Sequence, residues 1–335
     1  MQRLDPLFGL TAAHTTARRE LAAGLTTFVT MAYILFVNPT ILGSAVPVPF
    51  PQLLTATALA AAFGSITMGL LARHPFALAP GMGLNAYFAF TVVGQGQVAW
   101  QAALGAVFLS GLVFTALSVS GAREKLLEAL PRPLRQATAG GIGLFLAFIG
   151  LKNAGLVVAN PATLVGLGDL AGPGPLLCLG GVLLTGGLLA RGVRSAILVG
   201  IAAVTAAAIL LELPVYPGGR AFGGFPDGVV AAPAWPVDLW GALDLSGAFE
   251  LGLLGVVFVF FFVDLFDTAG TFSGLAEESG LADAHGRLPR TGRAFTADAL
   301  ATTAGALLGT STTTAYIESA AGIQAGGRTG LTAVV

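Results

Sequence analysis

Long apolar stretches dominate this chain, and one of them, Leu21 to Phe50, contains no charged residue. A helix that crosses a hydrocarbon core of about 30 Å needs roughly 20 mainly apolar residues. Only 10% of all residues are charged and mean hydropathy is +0.83, whereas soluble domains carry about 25% charged residues. The sequence therefore predicts an all-α polytopic membrane protein.

This length criterion divides the chain into about ten membrane segments. They are predicted at Leu21–Asn38, Leu53–Ala72, Phe76–Val93, Ala102–Val119, Leu134–Leu151, Leu176–Ala190, Ala196–Leu211, Phe249–Thr268, Phe295–Leu308 and Thr310–Ile323. The third and the tenth are short and interrupted by small or helix-breaking residues, so we expect both to be broken helices.

The basic residues are unevenly distributed around these segments. With the N-terminus in the cytoplasm, every Lys and Arg except Lys152 and Arg220 lies on the cytoplasmic side, as the positive-inside rule requires. The sequence therefore predicts a multi-pass protein of the cell (cytoplasmic) membrane with a cytoplasmic N-terminus. The loop from Glu212 to Gly247 is then extracellular.

Charge and composition argue against several other functions. A net charge of -1 gives no basic surface for nucleic acid, and the single Cys178 cannot form an intrachain disulfide. The sequence contains no nucleophile with a paired base, no metal-ligand cluster and no phosphate-binding loop, so neither an enzyme nor a cofactor is predicted. The three histidines, His14, His74 and His285, fall in loops or at segment ends and are expected to be solvated.

Two decapeptides suggest an internal repeat. Thr55 to Gly64 reads TATALAAAFG and Thr296 to Gly305 reads TADALATTAG, with identical residues at six of ten positions. Each directly precedes one of the two broken segments. Many secondary transporters consist of two inverted halves around a central site, and seven segments per half would give the two copies opposite orientations.

The third segment contains Pro80-Gly81-Met82-Gly83, which resembles part of a dinucleotide-binding fingerprint. That fingerprint needs a preceding strand in a soluble unit and an acidic residue about 20 positions on, and neither is present. Pro80 cannot continue a helix. We therefore expect Phe76 to Ala79 to be extended and a half-helix to begin near Gly81, with a kinked helix as the alternative.

The tenth segment has a matching feature, because Ser311 to Thr314 is polar and rich in Thr, which favours strands. If the two extended parts lie side by side, the N-termini of both half-helices open onto one small chamber.

Four acidic residues lie within predicted segments: Asp264, Asp267, Asp298 and Glu318. An acidic residue at a helix centre costs roughly 2.5 to 3.5 kcal/mol on insertion scales, so Glu318 and Asp264 are expected to line a cavity. Asp267 lies on the same face as Asp264, and either lines the cavity or bonds Thr268 or a helix end. Asp298 is expected near the cytoplasmic end of its segment.

These side chains have the chemistry to bind a heteroaromatic base. A carboxylate accepts hydrogen bonds from ring N–H and amino groups, while Asn85 offers both a donor and an acceptor. A purine satisfies such a set. Exchange of a proton at Asp264 or Glu318, as the chamber opens to either side, would couple transport to protons.

At this point the sequence resembles the adenine, guanine and hypoxanthine permeases, the purine branch of the nucleobase:cation symporters, which are related to uracil and xanthine permeases. The motifs that carry the resemblance are Gly24–Phe28, Met31–Tyr33, Val37–Pro39, Ala79–Tyr87, Asp264–Thr271 and Thr310–Glu318. The resemblance implies an inverted seven-plus-seven-segment nucleobase transporter fold, with a core domain, a gate domain and short strands in segments 3 and 10.

The resemblance also implies which residues bind substrate. Glu318, Asp264 and Asn85 occupy the family's substrate positions, and Asp264 and Glu318 are the candidates for proton coupling. The remaining candidates are Thr313, Thr314 and Gly83, with Asp267 and Thr268 as secondary positions. The partners implied are a purine nucleobase, a proton and the lipid bilayer, with a homodimer left open.

On this pattern, residues 1–133 form the first half of the core domain and 134–215 the first half of the gate domain. Residues 216–248 form the extracellular loop and 249–335 the second half of the core, up to the start of segment 11. Only Thr329 to Val335 follow Arg328. We therefore expect the chain to be truncated after about segment 10, lacking four segments or roughly 90 to 100 residues.

The function predicted from the sequence is proton-coupled uptake of purine nucleobases, namely hypoxanthine, guanine or adenine. The alternatives are a uracil, xanthine or anion carrier of the same architecture. A channel is a further alternative, but it would need a continuous pore rather than a chamber closed by two half-helices.

Overall fold

The computed structural model describes residues 5–95, 98–122, 132–193, 196–215, 232–249, 251–281 and 288–335. The chain divides into two compact units, one formed by residues 1–141 with 233–335 and the other by residues 142–232. The predicted division into core and gate domains at residues 133, 215 and 248 stays a prediction. His285 and Arg220 lie outside the described residues, as do residues 216–231 of the predicted extracellular loop.

The N-terminal part of the first unit is helical apart from one strand. Its elements are α1 (Asp5–Phe8), α2 (Ala17–Met31), α3 (Ile34–Gly43), α4 (Phe50–Thr67) with a π-helical continuation (Met68–Ala72), β1 (Leu78–Pro80), α5 (Met82–Ala86) with a π-helical continuation (Tyr87–Gln95), and α6 (Trp100–Val119). Thr16 caps α2, since its hydroxyl accepts a hydrogen bond from the main-chain N–H of Arg19 at 3.3 Å.

The helix α7 (Arg132–Asn153) crosses the boundary between the units at residue 141. The second unit continues with an antiparallel hairpin, β2 (Val157–Asn160) and β3 (Leu164–Leu167), followed by α8 (Pro173–Ala190) and α9 (Ala196–Leu210). This hairpin was not predicted from the sequence.

The C-terminal part of the first unit holds the remaining elements. They are α10 (Leu245–Ala248), α11 (Leu251–Ser279), α12 (Thr291–Leu308), β4 (Thr313–Ala315), α13 (Ser319–Gln324) and α14 (Gly330–Val334).

Each of the ten predicted segments corresponds to helical structure, and the third and tenth are broken by a strand as expected. Five helices in the described part of the chain are long and apolar enough to cross a membrane: Ala17–Gly43, Phe50–Ala72, Trp100–Val119, Pro173–Ala190 and Leu254–Glu277. The first and eighth segments extend further than predicted. In α3 the chain stays helical past Pro39, so the first predicted segment ends at Gly43 instead of Asn38.

Small residues allow α12 to pack closely against α6 and α4. A Cβ atom at Gly111 of α6 would lie 2.6 Å from the hydroxyl oxygen of Thr303 and 2.9 Å from its main-chain nitrogen. Where lipid tails are as apolar as the side chains, such close contact is what holds helices together. This packing fixes α12 directly behind the two strands.

Candidate functional site

The two strands of the broken segments form one buried antiparallel pair. Leu78 lies opposite Ala315, Ala79 opposite Thr314 and Pro80 opposite Thr313, and all of these residues are buried. Main-chain hydrogen bonds extend the pairing at both ends, from Gly81 N to Thr312 O at 2.8 Å and from Tyr316 N to Ala77 O at 3.0 Å. The extended parts therefore lie side by side, which the sequence raised only as a condition for a shared chamber.

A two-stranded sheet leaves two open edges, and in this protein one side-chain hydroxyl at each edge bonds both main-chain groups of one outward-facing residue. In an antiparallel pair, alternate residues direct N–H and C=O away from the partner strand. Because Gly81 and Ala77 take part in the pairing, the outward-facing residues are Leu78 and Pro80 on β1 and Thr313 and Ala315 on β4. Buried away from water, their main-chain groups need other partners.

Ser65 of α4 covers the first edge. Its hydroxyl accepts from Leu78 N at 2.9 Å and donates to Leu78 O at 3.0 Å. Thr302 of α12 covers the second edge, where its hydroxyl accepts from Thr313 N at 3.2 Å and donates to Thr313 O at 2.9 Å. We call these two hydroxyls, those of Ser65 and Thr302, the edge clasps.

The two faces of the strand pair have different neighbours. On one face, α11 packs against β4 and also against the short helices α5 and α13. Thr314 lies on this face, since its hydroxyl is 3.1 Å from that of Thr268 on α11. The side chain of Thr313 lies on the other face, against Gly64 of α4 and Gly305 of α12. Of the two threonines expected at the site, only Thr314 therefore directs its hydroxyl towards α11.

Glu318 lies between β4 and α13, where it is half-buried. Its Oε1 accepts a hydrogen bond of 2.6 Å from the hydroxyl of Tyr33, which lies at the break between α2 and α3. The neighbouring Tyr316 donates its hydroxyl to the main-chain oxygen of Pro80 at 2.5 Å. Segments 1, 3 and 10 are thus joined by tyrosine hydroxyls at this point.

Asn85 lies in α5 and is fully buried, and Gly83 is half-buried in the same short helix. The Asn85 Nδ2 donates to Oδ1 of Asn38 on α3. Asn38 is also fully buried, and its Nδ2 donates to the hydroxyls of Thr57 at 2.8 Å and Thr310 at 3.1 Å. These bonds join α3, α4, α5 and the link between α12 and β4.

The acidic residues of α11 lie beside β4. Asp264 is fully buried, and its Oδ2 lies 3.4 Å from the Thr302 hydroxyl, next to the second edge clasp. Asp267 is half-buried. The hydroxyl of Thr268 donates to Asp298 at 2.9 Å instead of bonding Asp267. Asp298 was expected near a segment end, but it is fully buried in the middle of α12, where this contact holds it.

The repeated decapeptides have a structural counterpart at their third position, which is Thr57 in the first copy and Asp298 in the second. Each accepts a hydrogen bond from a polar side chain of the preceding α3 or α11, from Asn38 to Thr57 and from Thr268 to Asp298. The two copies thus make equivalent contacts on the two sides of the strand pair.

Several buried side-chain oxygens near the strands have no hydrogen-bond partner within the described residues. They include Oδ1 of Asn85 and the hydroxyl of Thr312, which lies on the same side as Gly81 at the start of α5. An unpaired buried acceptor costs about 1 to 3 kcal/mol. Such atoms mark positions where a polar ligand can contribute the missing bonds.

The residues of this arrangement that were not predicted as site residues include Tyr33, Asn38, Ser65, Thr302 and Thr312. Of these, Tyr33, Asn38 and Thr312 fall within the motifs quoted for the resemblance. A polar side chain inside an otherwise apolar segment was the available signal for Tyr33 and Asn38. The partners of these residues are in distant parts of the sequence, which the sequence pattern alone does not specify.

His74 contradicts the expectation that all three histidines are solvated. It is 2% exposed, its ring stacks on Phe76 with centroids 5.1 Å apart, and its Nε2 lies 2.8 Å from the main-chain oxygen of Pro289. Burial lowers the pKa of His74 to about 4, with a smaller contribution from nearby Arg290. His14 is exposed, as predicted.

An apolar cavity of about 250 Å³ lies beside α2, α3, α4 and β1, with Met31, Leu78 and Val335 among its lining residues. Its few polar lining groups give little to orient a heteroaromatic base. Within the described ranges, no group of three or more His, Cys, Asp or Glu residues is arranged to hold a metal ion. The polar candidate site is therefore the strand pair with α5, α11 and α13.

Solved structures with the same fold are membrane transport proteins. The transmembrane domain of the cyanobacterial bicarbonate transporter BicA aligns with a TM-score of 0.61 at 17% identity, covering 95% of this chain and 79% of that chain. SLC26A9 aligns with a TM-score of 0.56 at 12% identity, covering 99% of this chain and 55% of that chain. At such low identity the likeness establishes the fold alone.

Sequence comparison identifies the family. The profile of the Permease family (Xan_ur_permease) matches residues 18–335. The adenine permease AdeP of Escherichia coli K12 is 44% identical over 332 residues, which cover 99% of this chain and 72% of AdeP. The guanine/hypoxanthine permease PbuG of Bacillus subtilis 168 is 45% identical over 330 residues, which cover 96% of this chain and 73% of PbuG. The chain therefore belongs to the permease family of multi-pass membrane transporters, together with these adenine and guanine/hypoxanthine permeases.

Proposed function

We propose that the protein takes up purine nucleobases across the cytoplasmic membrane, coupled to protons, with its N-terminus in the cytoplasm. The observation that carries this proposal is the buried strand pair, from which α5 and α13 lead away with Asn85 and Glu318 beside the acidic helix α11. Adenine, guanine and hypoxanthine are the candidate substrates, because the relatives named for them match almost the whole chain.

The available groups fit the edge of a purine. The carboxylate of Glu318 accepts hydrogen bonds from ring N–H or amino groups, and Asn85 Oδ1 is a second buried acceptor. The hydroxyls of Thr312 and Thr314 and the main chain of α5 near Gly83 supply further polar groups on the α11 side. Thr313 has only a supporting role, because its side chain packs against α4 and α12 and its main-chain groups are bonded by the Thr302 hydroxyl.

Glu318 and Asp264 are the proposed proton-coupling residues. The carboxylate of Glu318 lies next to the hydroxyl of Tyr33, and the carboxylate of Asp264 lies next to the hydroxyl of Thr302. A proton taken up with the base on one side and released on the other would keep the site neutral while it changes access. Asp267 and Thr268 act beside them in a secondary role.

Counterflow tests this function. Proteoliposomes preloaded with unlabelled hypoxanthine should accumulate external radiolabelled hypoxanthine, and the variants Glu318→Gln and Asp264→Asn should lose most of this accumulation. Glu277→Gln is the matched control for Asp264→Asn, because Glu277 is an exposed acid on the same helix. Unchanged counterflow in both site variants would refute the assignment of these residues.

Competition separates the alternative substrates. Excess adenine or guanine should block hypoxanthine counterflow, while uracil, xanthine, sulfate and bicarbonate should not. Block by uracil or xanthine alone would assign the protein to the other nucleobase carriers, and block by an anion would assign it to anion transport. Uptake that shows no stimulation by internal substrate would indicate a channel, because only a carrier exchanges substrate across its alternating site.

A further inference from the structure

Four buried side chains form a hydrogen-bonded chain that ends at the proposed site. Its members are Thr57, Asn38, Asn85 and, as a branch, Thr310, and none of the four has exposed surface. The first link is the hydroxyl of Thr57, which donates to the main-chain oxygen of Leu53 at 2.7 Å.

The direction of every donor in this chain follows from that first link. A carbonyl oxygen can only accept, so the Thr57 hydroxyl hydrogen is committed to Leu53 and the Thr57 oxygen is left to accept. Asn38 therefore turns its Nδ2 towards Thr57 at 2.8 Å, and this places its Oδ1 towards Asn85. Asn85 must therefore donate a hydrogen bond from its Nδ2 to this oxygen, which leaves Oδ1 of Asn85 as the free end of the chain.

That free end is the buried oxygen of Asn85 that has no partner within the described residues. A free amide could present either its oxygen or its nitrogen to a ligand by rotating about its last bond. In this protein the rotation would set Oδ1 of Asn85 against Oδ1 of Asn38, two acceptors with no hydrogen between them, which costs about as much as a lost buried hydrogen bond.

We propose that Asn38 is a positioning residue for substrate selection: through Thr57 and Leu53 it holds the Asn85 amide so that only an acceptor faces the ligand, and the site therefore selects a base with an N–H at that point. The inference rests on the proposed function and deepens it. It names a specificity determinant that does not itself touch the substrate.

The test measures how much each ring N–H of the ligand contributes to binding. Dissociation constants are determined for hypoxanthine and for 1-methyl-, 7-methyl- and 9-methylhypoxanthine, using purified protein in nanodiscs. For each derivative the penalty is the ratio of its dissociation constant to that of hypoxanthine. The steric part of the penalty is shared by the wild type and the variants, because residue 38 lies behind Asn85.

In the wild type, the derivative that blocks the N–H facing Asn85 should bind at least about tenfold more weakly than hypoxanthine. In Asn38→Leu the Asn85 amide is free to rotate, so this one penalty should fall by about tenfold while the other two stay unchanged. Thr57→Val, which removes the first link but leaves Asn38 in place, should lower the same penalty. Ser110→Ala, which deletes a buried hydroxyl on α6, should leave all three penalties as in the wild type.

The possible results distinguish a failure of the role proposed for Asn38 from a failure of the proposed function. If hypoxanthine binds the wild type but Asn38→Leu and Thr57→Val keep every penalty, the inference is overturned and the proposed function stands. If Asn38→Leu does not fold, Thr57→Val decides in the same way. Absence of a penalty of this size in the wild type also overturns the inference. If the wild type binds neither hypoxanthine nor another purine, the proposed function fails and the inference fails with it.

Discussion

Removing the hydroxyl of the edge clasp Thr302 should lower the free energy of unfolding. The loss can be compared with that caused by the same change at Thr303, the next residue. Thr302→Val keeps the shape of the side chain but removes the hydroxyl, so both N–H and C=O of Thr313 lose their partner. Thr313 is fully buried, and water cannot replace the lost bonds. With about 1 to 3 kcal/mol for each unpaired buried group, the free energy of unfolding should fall by about 2 to 6 kcal/mol.

Thr303→Val is the control, because it makes the same chemical change one position further along α12. The Thr303 hydroxyl donates only to the main-chain oxygen of Ala299 in the preceding helical turn. That oxygen retains its place in the helix, so we expect a loss within about 1 kcal/mol. Ser65→Ala, at the other edge clasp, should resemble Thr302→Val because it leaves the main-chain groups of Leu78 unpaired.

The assay is unfolding of the purified protein by SDS in mixed micelles, followed by far-ultraviolet circular dichroism. The SDS concentration at the midpoint should be clearly lower for Thr302→Val and Ser65→Ala than for Thr303→Val and the wild type. Equal midpoints for Thr302→Val and Thr303→Val would refute the reasoning that the Thr302 hydroxyl satisfies both main-chain groups of Thr313.

Three further predictions concern other buried groups. Because the pKa of His74 is lowered to about 4 in the folded state and is near 6.5 when unfolded, the unfolded chain binds a proton first as pH falls. Stability present above pH 6.5 should therefore decline by up to about 3 kcal/mol towards pH 4, and His74→Gln should lack this component. Glu20, fully buried, accepts four hydrogen bonds at the start of α14, so Glu20→Gln should lose about 1 to 3 kcal/mol because an amide nitrogen cannot accept. Tyr33→Phe removes the 2.6 Å bond to Glu318 and should weaken hypoxanthine binding about tenfold with little change in the unfolding midpoint.

Each of these three predictions would be contradicted by a specific result. The same pH dependence in His74→Gln as in the wild type would show that another group titrates in this range. A Glu20→Gln midpoint equal to that of the wild type would mean that the four bonds contribute nothing measurable. Unchanged hypoxanthine affinity in Tyr33→Phe would remove Tyr33 from the site.

The main features of the architecture could be predicted from the sequence because their signals are local. Apolar length locates the segments, and Pro80 together with the threonine run at Ser311 to Thr314 indicates where two of them are broken. The pairing of the two strands could be raised only as a condition, although polar backbone at membrane depth must find a partner. These arguments need no knowledge of which helix lies next to which.

The contacts within the site depend on that knowledge and were not predictable. Ser65 and Thr302 are small hydroxyl residues in Ala-rich helices, where they look like ordinary packing positions. Their role appears only because α4 and α12 lie at the two edges of the strand pair. The choice between Thr313 and Thr314 likewise depends on which face of the strands α11 covers, and neighbouring residues of a strand point to opposite faces.

His74 illustrates a different limit. A histidine between two segments has no sequence feature that distinguishes a solvated ring from a buried one. Its burial results from Phe76 and from the loop at Pro289, which is far away in the sequence. Only the tertiary arrangement brings these groups together.

We expect the base to bind at the strand pair, between the amide of Asn85 and the carboxylate of Glu318. This is best tested by a structure determined with bound hypoxanthine. The base should then lie within hydrogen-bonding distance of both side chains, on the face of the strands that α11 covers. A base bound instead in the apolar cavity lined by Met31 and Val335, or without a polar contact to either Asn85 or Glu318, would contradict this expectation.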